Sequence, residues 1–129
     1  MAKMILRFDH VNIRTANLEA MVRFYTEVLG LRRGERPPFS FGGAWLYCGE
    51  QPVVHLVEVG SQPAPEGELR LEHFAFAAED LAGFVNKLAA AGLDYRLAVL
   101  PGSGTRQVNV RDPDGNRLHV DFGASEPLP

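Results

Sequence analysis

The sequence predicts an α+β fold made of two βαβββ modules. Each half of the 129-residue chain shows an alternating run, then an amphipathic helical run ended by glycine, then three more alternating runs. Two pairs of histidines lie at corresponding points of the halves, since His10 and His73 are separated by almost the same number of positions as His55 and His119. A polar, proline-rich connector lies between the halves at residues 60–69. The length suits one compact domain, which we expect to cover residues 1–124 and to leave 125–129 as a C-terminal tail.

The first module is predicted over residues 5–59. Residues 7–13 alternate and carry β-branched side chains, which is typical of a strand. Apolar residues then recur at three- and four-residue spacing over 18–29, which predicts a helix that begins after Asn17 and ends at Gly30. Three further strands are predicted at 31–36, 43–48 and 53–59.

The second module is predicted over residues 70–122 and repeats this order. Residues 71–76 form a strand pattern around a central histidine, and the helical pattern that follows begins after Asp80 and ends at Gly92. The remaining strands are predicted at 94–100, 106–111 and 116–122.

The four histidines are candidate ligands of a divalent metal ion. Successive side chains of a strand alternate between its faces, so His119 lies opposite Leu118 and Val120, on the polar face of the last strand. The same alternation places His10 and His73 on polar faces, whereas His55 lies in a strand that is apolar on both sides. Imidazole is the commonest protein metal ligand. The pattern therefore predicts a site made of His10, His55, His73 and His119, without distinguishing zinc, nickel, manganese and iron.

Four segments together resemble the vicinal oxygen chelate superfamily, which includes glyoxalase I, extradiol dioxygenases, fosfomycin-resistance enzymes and bleomycin-binding proteins. They are Phe8-Asp9-His10-Val11, the helix end at residues 24–31, Leu71-Glu72-His73-Phe74 and Asp112-Pro113-Asp114-Gly115-Asn116. The resemblance implies that the two modules form a curled mixed sheet around a cleft with a divalent metal. It also implies that the ligands come from the first and fourth strands of each module, where the four histidines lie.

The sequence departs from this family at two positions that are often glutamate, where it has His55 and His119. A divalent metal held by four neutral imidazoles keeps its full positive charge. This favours a site that polarises a chelating oxygen over one in which a carboxylate ligand transfers a proton. Asp121 shares the face of His119 and is predicted either to accept a hydrogen bond from the His119 ring or to replace His119 as a ligand.

The resemblance predicts a metal-dependent enzyme, a glyoxalase I-like lyase or isomerase that acts on a small oxygen-chelating substrate. Two alternatives stay open. One is an iron(II) extradiol-type dioxygenase, although such sites usually include a carboxylate. The other is a non-catalytic drug-binding protein of the bleomycin-resistance type. No residue is assigned as the catalytic acid or base.

Two groups of side chains are candidate substrate contacts. Trp45 and Tyr47 share one strand face and are predicted to form an aromatic wall, with ordinary sheet packing as the alternative. Gln107, Asn109 and Arg111 share the polar face of their strand and are predicted to contact substrate, with a solvated face as the alternative.

Composition limits the partners. The net charge of −3 does not indicate the positively charged surface that binds nucleic acid, and no apolar run is long enough to cross a membrane. The chain begins without a signal-peptide pattern, and we expect it in the cytoplasm. Unpaired sheet edges and small modules predict a homodimer. The cleft is expected either within one chain or across two chains.

Overall fold

The computed structural model describes residue 4 and residues 6–63 and 71–129, which belong to two compact units, Met1–Pro65 and Glu66–Pro129. Each unit contains one four-stranded mixed sheet and one helical segment in the order βαβββ. The predicted fold class is therefore confirmed. The predicted connector at 60–69 includes residues 64–69, which lie outside the described residues, and the boundary between the units falls inside it.

In the first unit, the sheet order is β1-β4-β3-β2. Strand β1 runs parallel to β4, and the other neighbouring pairs are antiparallel. The elements are β1 (Val11–Thr15), α1 (Leu18–Arg23) with a π-helical turn (Phe24–Val28), β2 (Arg32–Gly34), β3 (Gly43–Cys48) and β4 (Gln51–Glu58).

The predicted first helix is divided into an α-helix and a π-helical turn. The Thr26 hydroxyl donates a hydrogen bond of 2.7 Å to the carbonyl of Val22, which competes with the backbone amide for that acceptor. Apolar spacing alone does not show such a change of pitch. The helix still buries its apolar side, and Met21, Phe24 and Tyr25 are almost fully buried.

In the second unit, the sheet order is β5-β8-β7-β6, with β5 parallel to β8. The apolar face of β8 lies under the helix, and the Phe84 and Phe122 rings are 5.7 Å apart. The elements are β5 (His73–Ala77), α2 (Leu81–Ala90), β6 (Arg96–Val99), β7 (Arg106–Arg111) and β8 (Arg117–Phe122).

The first strand of each unit begins later than the sequence pattern predicts, because alternation continues beyond the hydrogen-bonded ladder. His10 immediately precedes β1, and His73 is the first residue of β5. In the register that pairs Val11 with Val54, the position of Asp9 corresponds to Pro52, which has no amide to donate.

The N-terminus of α2 is held by residues from two places in the chain. Asp80 adopts a φ of 72°, and its side chain accepts a hydrogen bond from the amide of Gly83. Glu126, in the predicted tail, accepts 3.0 Å hydrogen bonds from the amides of Asp80 and Leu81. These amides are among those that a helix leaves without an internal partner. Glu126 therefore holds the predicted tail at 125–129 against the N-terminus of α2. Among the described residues, no helix is long and apolar enough to cross a membrane.

Candidate functional site

His55 lies at the centre of a stack of three rings in the first unit. Its backbone pairs with that of Trp45 on the neighbouring strand, and the two rings lie 4.0 Å apart with planes 10° from parallel. The His10 ring stacks on His55 at 3.8 Å with an angle of 11°. His55 is buried, as its doubly apolar strand predicts.

The Asp9 carboxylate holds His10 in one orientation. Asp9 Oδ2 lies 2.7 Å from Nδ1 of His10, while Gln51 Nε2 donates to Asp9 Oδ1 at 3.1 Å. The hydrogen bond with His10 is the main reason that the pKa of Asp9 lies below its usual value. A carboxylate at Nδ1 favours the tautomer that carries the proton there, so Nε2 is left as a lone-pair donor.

His55 has the opposite arrangement of its ring nitrogens. Its Nε2 lies 3.0 Å from the carbonyl oxygen of Pro52, which favours a proton on Nε2. Burial, followed by the neighbouring His10, lowers the pKa of His55 below its ordinary value of 6.5, so the ring is neutral at pH 7. Only Nδ1 is then suited to bind a metal.

The stacked geometry does not fit a metal shared by His10 and His55. A metal–imidazole bond lies in the ring plane and is about 2.0–2.1 Å long. The two planes are almost parallel and the ring centres are 3.8 Å apart, so a metal between them would lie far out of both planes.

In the second unit, His73 and His119 form a pair that suits metal binding better. Their ring centroids are 4.8 Å apart and their planes meet at 42°, so in-plane lone pairs are able to converge. Glu72 Oε2 lies 2.7 Å from Nδ1 of His73, and Asp121 Oδ1 lies 2.7 Å from Nδ1 of His119. Both Nε2 atoms are therefore left as lone-pair donors.

The polar face of the second sheet carries a cavity of about 780 Å³, which is large enough for a small molecule. The predicted contacts Gln107, Asn109 and Arg111 line this cavity together with His73 and His119. Backbone register places Asn109 opposite His119, and the Asn109 side chain donates to Gln107 Oε1 at 3.2 Å.

The other predicted contacts, Trp45 and Tyr47, lie in the first unit beside a smaller cavity of about 330 Å³. Trp45 forms the outer ring of the histidine stack, whereas the Tyr47 hydroxyl donates to the carbonyl of Glu35. Arg36 also lines this cavity, and its guanidinium lies 5.1 Å from the centre of the Phe39 ring. Sequence reasoning missed Phe39 because it lies between strands, where alternation gives no orientation. It missed Arg36 because the predicted strand at 31–36 extends beyond β2, which ends at Gly34.

The four predicted metal ligands are thus brought together as two pairs, one within each unit. Within the described ranges, no group of three or more histidine, cysteine, aspartate or glutamate side chains is placed to hold a metal ion. The ring nitrogen left as a lone-pair donor is Nε2 in His10, His73 and His119 and Nδ1 in His55.

Known proteins similar to this chain include enzymes of two kinds. Lactoylglutathione lyase GLX1 of Arabidopsis thaliana is 32% identical over 134 residues that cover 95% of this chain and 46% of the plant protein. This chain therefore spans about half the length of that relative. Glutathione transferase FosA of Serratia marcescens is 28% identical over 94% of this chain and 84% of its own length.

Solved structures and a sequence description of the family agree with the fold. A glyoxalase family protein from Enterococcus faecalis has a TM-score of 0.70 and 28% identity, and the match covers 89% of this chain and 96% of that one. A glyoxylase/bleomycin resistance protein/dioxygenase domain from Frankia sp. has a TM-score of 0.78 at 23% identity, covering 95% of this chain and 96% of the domain. The Glyoxalase/Bleomycin resistance protein/Dioxygenase superfamily matches residues 7–120. This chain belongs to that superfamily, as its sequence motifs predicted.

Proposed function

We propose that this protein is a metal-dependent enzyme, a glyoxalase I-like lyase or isomerase that acts on a small oxygen-chelating substrate. One repeated feature carries the proposal: three histidines each have a carboxylate 2.7 Å from Nδ1. Metal-binding histidines commonly donate their second ring nitrogen to such a carboxylate, which fixes the ring and raises its basicity. The relatives named lactoylglutathione lyase support this choice of reaction class.

The ligands that we propose are His10, His73 and His119, acting through Nε2. When bound, a divalent metal supplies Lewis-acid polarisation of a substrate oxygen. Asp9, Glu72 and Asp121 orient the rings and accept their Nδ1 hydrogens. His55 packs beneath His10 as a neutral ring and is not needed as a ligand.

The polar face of the second sheet would bind and orient the substrate. The amides of Gln107 and Asn109 line the same cavity as the second histidine pair, so their donors and acceptors meet a bound molecule beside the imidazoles. The two carboxylates among the described residues that line this wall, Glu72 and Asp94, are exposed, which favours polarisation and orientation of the substrate as the contribution of these residues.

Metal titration tests the proposal directly. Protein stripped on a chelating resin is titrated with Zn²⁺, Ni²⁺ and Mn²⁺ by calorimetry, and the variants His10→Ala, His73→Ala and His119→Ala are compared with His55→Gln. We expect tight binding by the wild type, a large loss in each of the three alanine variants, and little change for His55→Gln. Retained affinity in the alanine variants would refute the assignment.

Activity assays separate the reaction classes. Metal-loaded protein is assayed for lactoylglutathione lyase activity, in the direction that forms lactoylglutathione as well as the direction that cleaves it, and, because of the similarity to FosA, for glutathione transfer. Oxygen uptake with catechols tests the iron(II) dioxygenase alternative. The lyase proposal requires metal-dependent turnover in the first assay that is lost in His119→Ala.

One observation favours a second candidate function, a non-catalytic binding protein for flat aromatic molecules. The Trp45–His55–His10 stack already has the spacing of stacked aromatic rings, and a flat ligand could extend it. Trp45 is the sole tryptophan of the chain, so its fluorescence reports directly on this stack. Quenching by bleomycin in metal-free protein, without turnover in any assay above, would support this function.

We also propose a cytoplasmic homodimer as the working unit. Each described sheet has two edge strands, and such edges favour pairing with another sheet. Sedimentation measures the oligomeric state. If the active centre uses residues of two chains, a mixture of the inactive variants His10→Ala and His73→Ala regains part of the activity. A stable monomer that binds metal through His10, His73 and His119 would refute the dimer.

A further inference from the structure

We propose that Arg96 and Arg117 form an anion-binding subsite beside His73 and His119, which takes the carboxylate or phosphate group of the substrate. The description of the ligand as a substrate rests on the proposed function. The anion site itself follows from the second unit alone.

Backbone register places both arginines on the face that carries the histidines. Arg117 pairs with His73 on one side and precedes His119 by two residues, so the side chains of β8 at these positions point to the same face. Arg96 pairs with Asn109, which in turn pairs with His119. Both arginines line the same cavity of about 780 Å³ as the histidines.

Two arginines of the cavity lie at the end of the β7–β8 hairpin, beside a turn that carries Asp112 and Asp114. Arg111 and Arg117 are directly opposite one another in the ladder, an arrangement that like charges destabilise. Arg111 donates to the carbonyl of Gly115 at 3.2 Å, which fixes it to the turn. In the part of the chain that the structure describes, the guanidinium groups of Arg96 and Arg117 make no hydrogen bond or ion pair, and the contact of Asn109 with Arg96 is to its backbone carbonyl. Both guanidinium groups are therefore available to a ligand.

Fewer acidic than basic side chains line the cavity. Three arginines face only two carboxylates, those of Glu72 and Asp94. Glu72 is already hydrogen-bonded to His73. The lining therefore includes one more arginine than carboxylates, and a metal on the histidines would add further positive charge.

The chemistry of the guanidinium group identifies the ligand class. Its planar set of donors matches the paired oxygens of a carboxylate or a phosphate. Arg96 lies two strands from His119, or about 10 Å between backbones at ordinary strand spacing. A small molecule whose anionic group sits on the arginines is thus able to reach the imidazoles with its other end.

The test uses metal-free protein prepared on a chelating resin, because a soluble chelator is itself an anion. Inorganic phosphate and succinate are titrated separately at constant ionic strength, and binding is followed by NMR of backbone amides. The variants are Arg96→Gln and Arg117→Gln, with Arg117→Lys as the charge-conserving variant. Arg23→Gln is the matched control, since Arg23 is exposed in the last turn of α1 in the first unit.

We expect saturable binding of at least one anion, with shifts centred on β7 and β8. Each glutamine variant should weaken it about tenfold, as expected for loss of charge-assisted hydrogen bonds. Arg117→Lys should retain part of the affinity, and Arg23→Gln all of it. Stronger binding of phosphate or of succinate shows which group the subsite takes.

The inference is overturned if the wild type binds neither anion, or if the two glutamine variants bind as the wild type does. Metal titration of the same variants separates this result from the proposed function. Anion binding without metal binding would leave the subsite standing and remove the metal-dependent enzyme. Metal binding without anion binding would remove the subsite and leave the metal-dependent enzyme standing.

Discussion

Replacement of Asp121 by asparagine isolates the contribution of a carboxylate behind a metal-binding histidine. Asp121 Oδ1 lies 2.7 Å from Nδ1 of His119, and the side chains are only 32% and 13% exposed. The Asp121→Asn variant keeps an acceptor of the same size but loses the charge, which makes the hydrogen bond much weaker. Loss of such a partner typically costs 10- to 100-fold in metal affinity. Because an acceptor remains, we expect about tenfold, or about 1.4 kcal/mol.

Glu72→Gln is the matched comparison for this change. Its carboxylate also lies 2.7 Å from a histidine Nδ1, but Glu72 and His73 are 60% and 47% exposed. Solvent screens the exposed pair more strongly, so we expect less than about threefold loss. Calorimetric titration of both stripped variants with Zn²⁺ measures the difference. Unchanged affinity in Asp121→Asn, or a larger loss in Glu72→Gln, would refute the argument.

Three further predictions concern stability, measured by denaturant unfolding of metal-free protein. Leu46→Ala should cost about 2–5 kcal/mol because Leu46 is fully buried in β3, and a cost below 1 kcal/mol would contradict the assigned core. Glu126→Ala should cost about 1–2 kcal/mol because the amides of Asp80 and Leu81 lose their acceptors, and an unchanged midpoint would show that the end of the chain does not stabilise α2. Burial lowers the pKa of the His55 ring in the folded protein below its ordinary value of 6.5. The contribution of the neutral ring to the free energy of unfolding is therefore complete above about pH 6.5, and it is lost as the pH falls from about 6.5 towards the pKa of the folded protein. The His55→Phe variant keeps a flat ring beside Trp45 but cannot be protonated, so it should lose less stability on acidification than the wild type does. An identical pH dependence of unfolding in the variant and the wild type would disprove this expectation.

The sequence was sufficient to predict the βαβββ repeat because hydrophobic periodicity is a local property. Strands β3 and β7 match their predicted bounds, and the apolar strand around His55 is buried as expected. The ends of β1 and β5 could not be predicted, because a ladder ends where its partner no longer provides an amide or a carbonyl. The contact of Glu126 with the amide of Leu81 joins residues far apart in sequence, which local patterns do not detect.

The candidate site was predicted in its residue types but not in its ring geometry. Alternation correctly grouped His119 with Asn109 and Gln107 on one polar face. It gave no indication that His55 stacks between two rings, because ring planes depend on side-chain torsions. Arg117 was missed although it has the same parity as His119, which was sufficient to identify it.

The most direct test of the central claim is ¹⁵N NMR of the histidine side chains, recorded on stripped protein during titration with Zn²⁺. The three carboxylate-bound rings should begin as the tautomer protonated at Nδ1, and the Nε2 signals of His10, His73 and His119 should move on metal binding. The signals of His55 should keep the pattern of a proton on Nε2. A metal-induced change confined to His55, or no change in any of the four rings, would contradict the account.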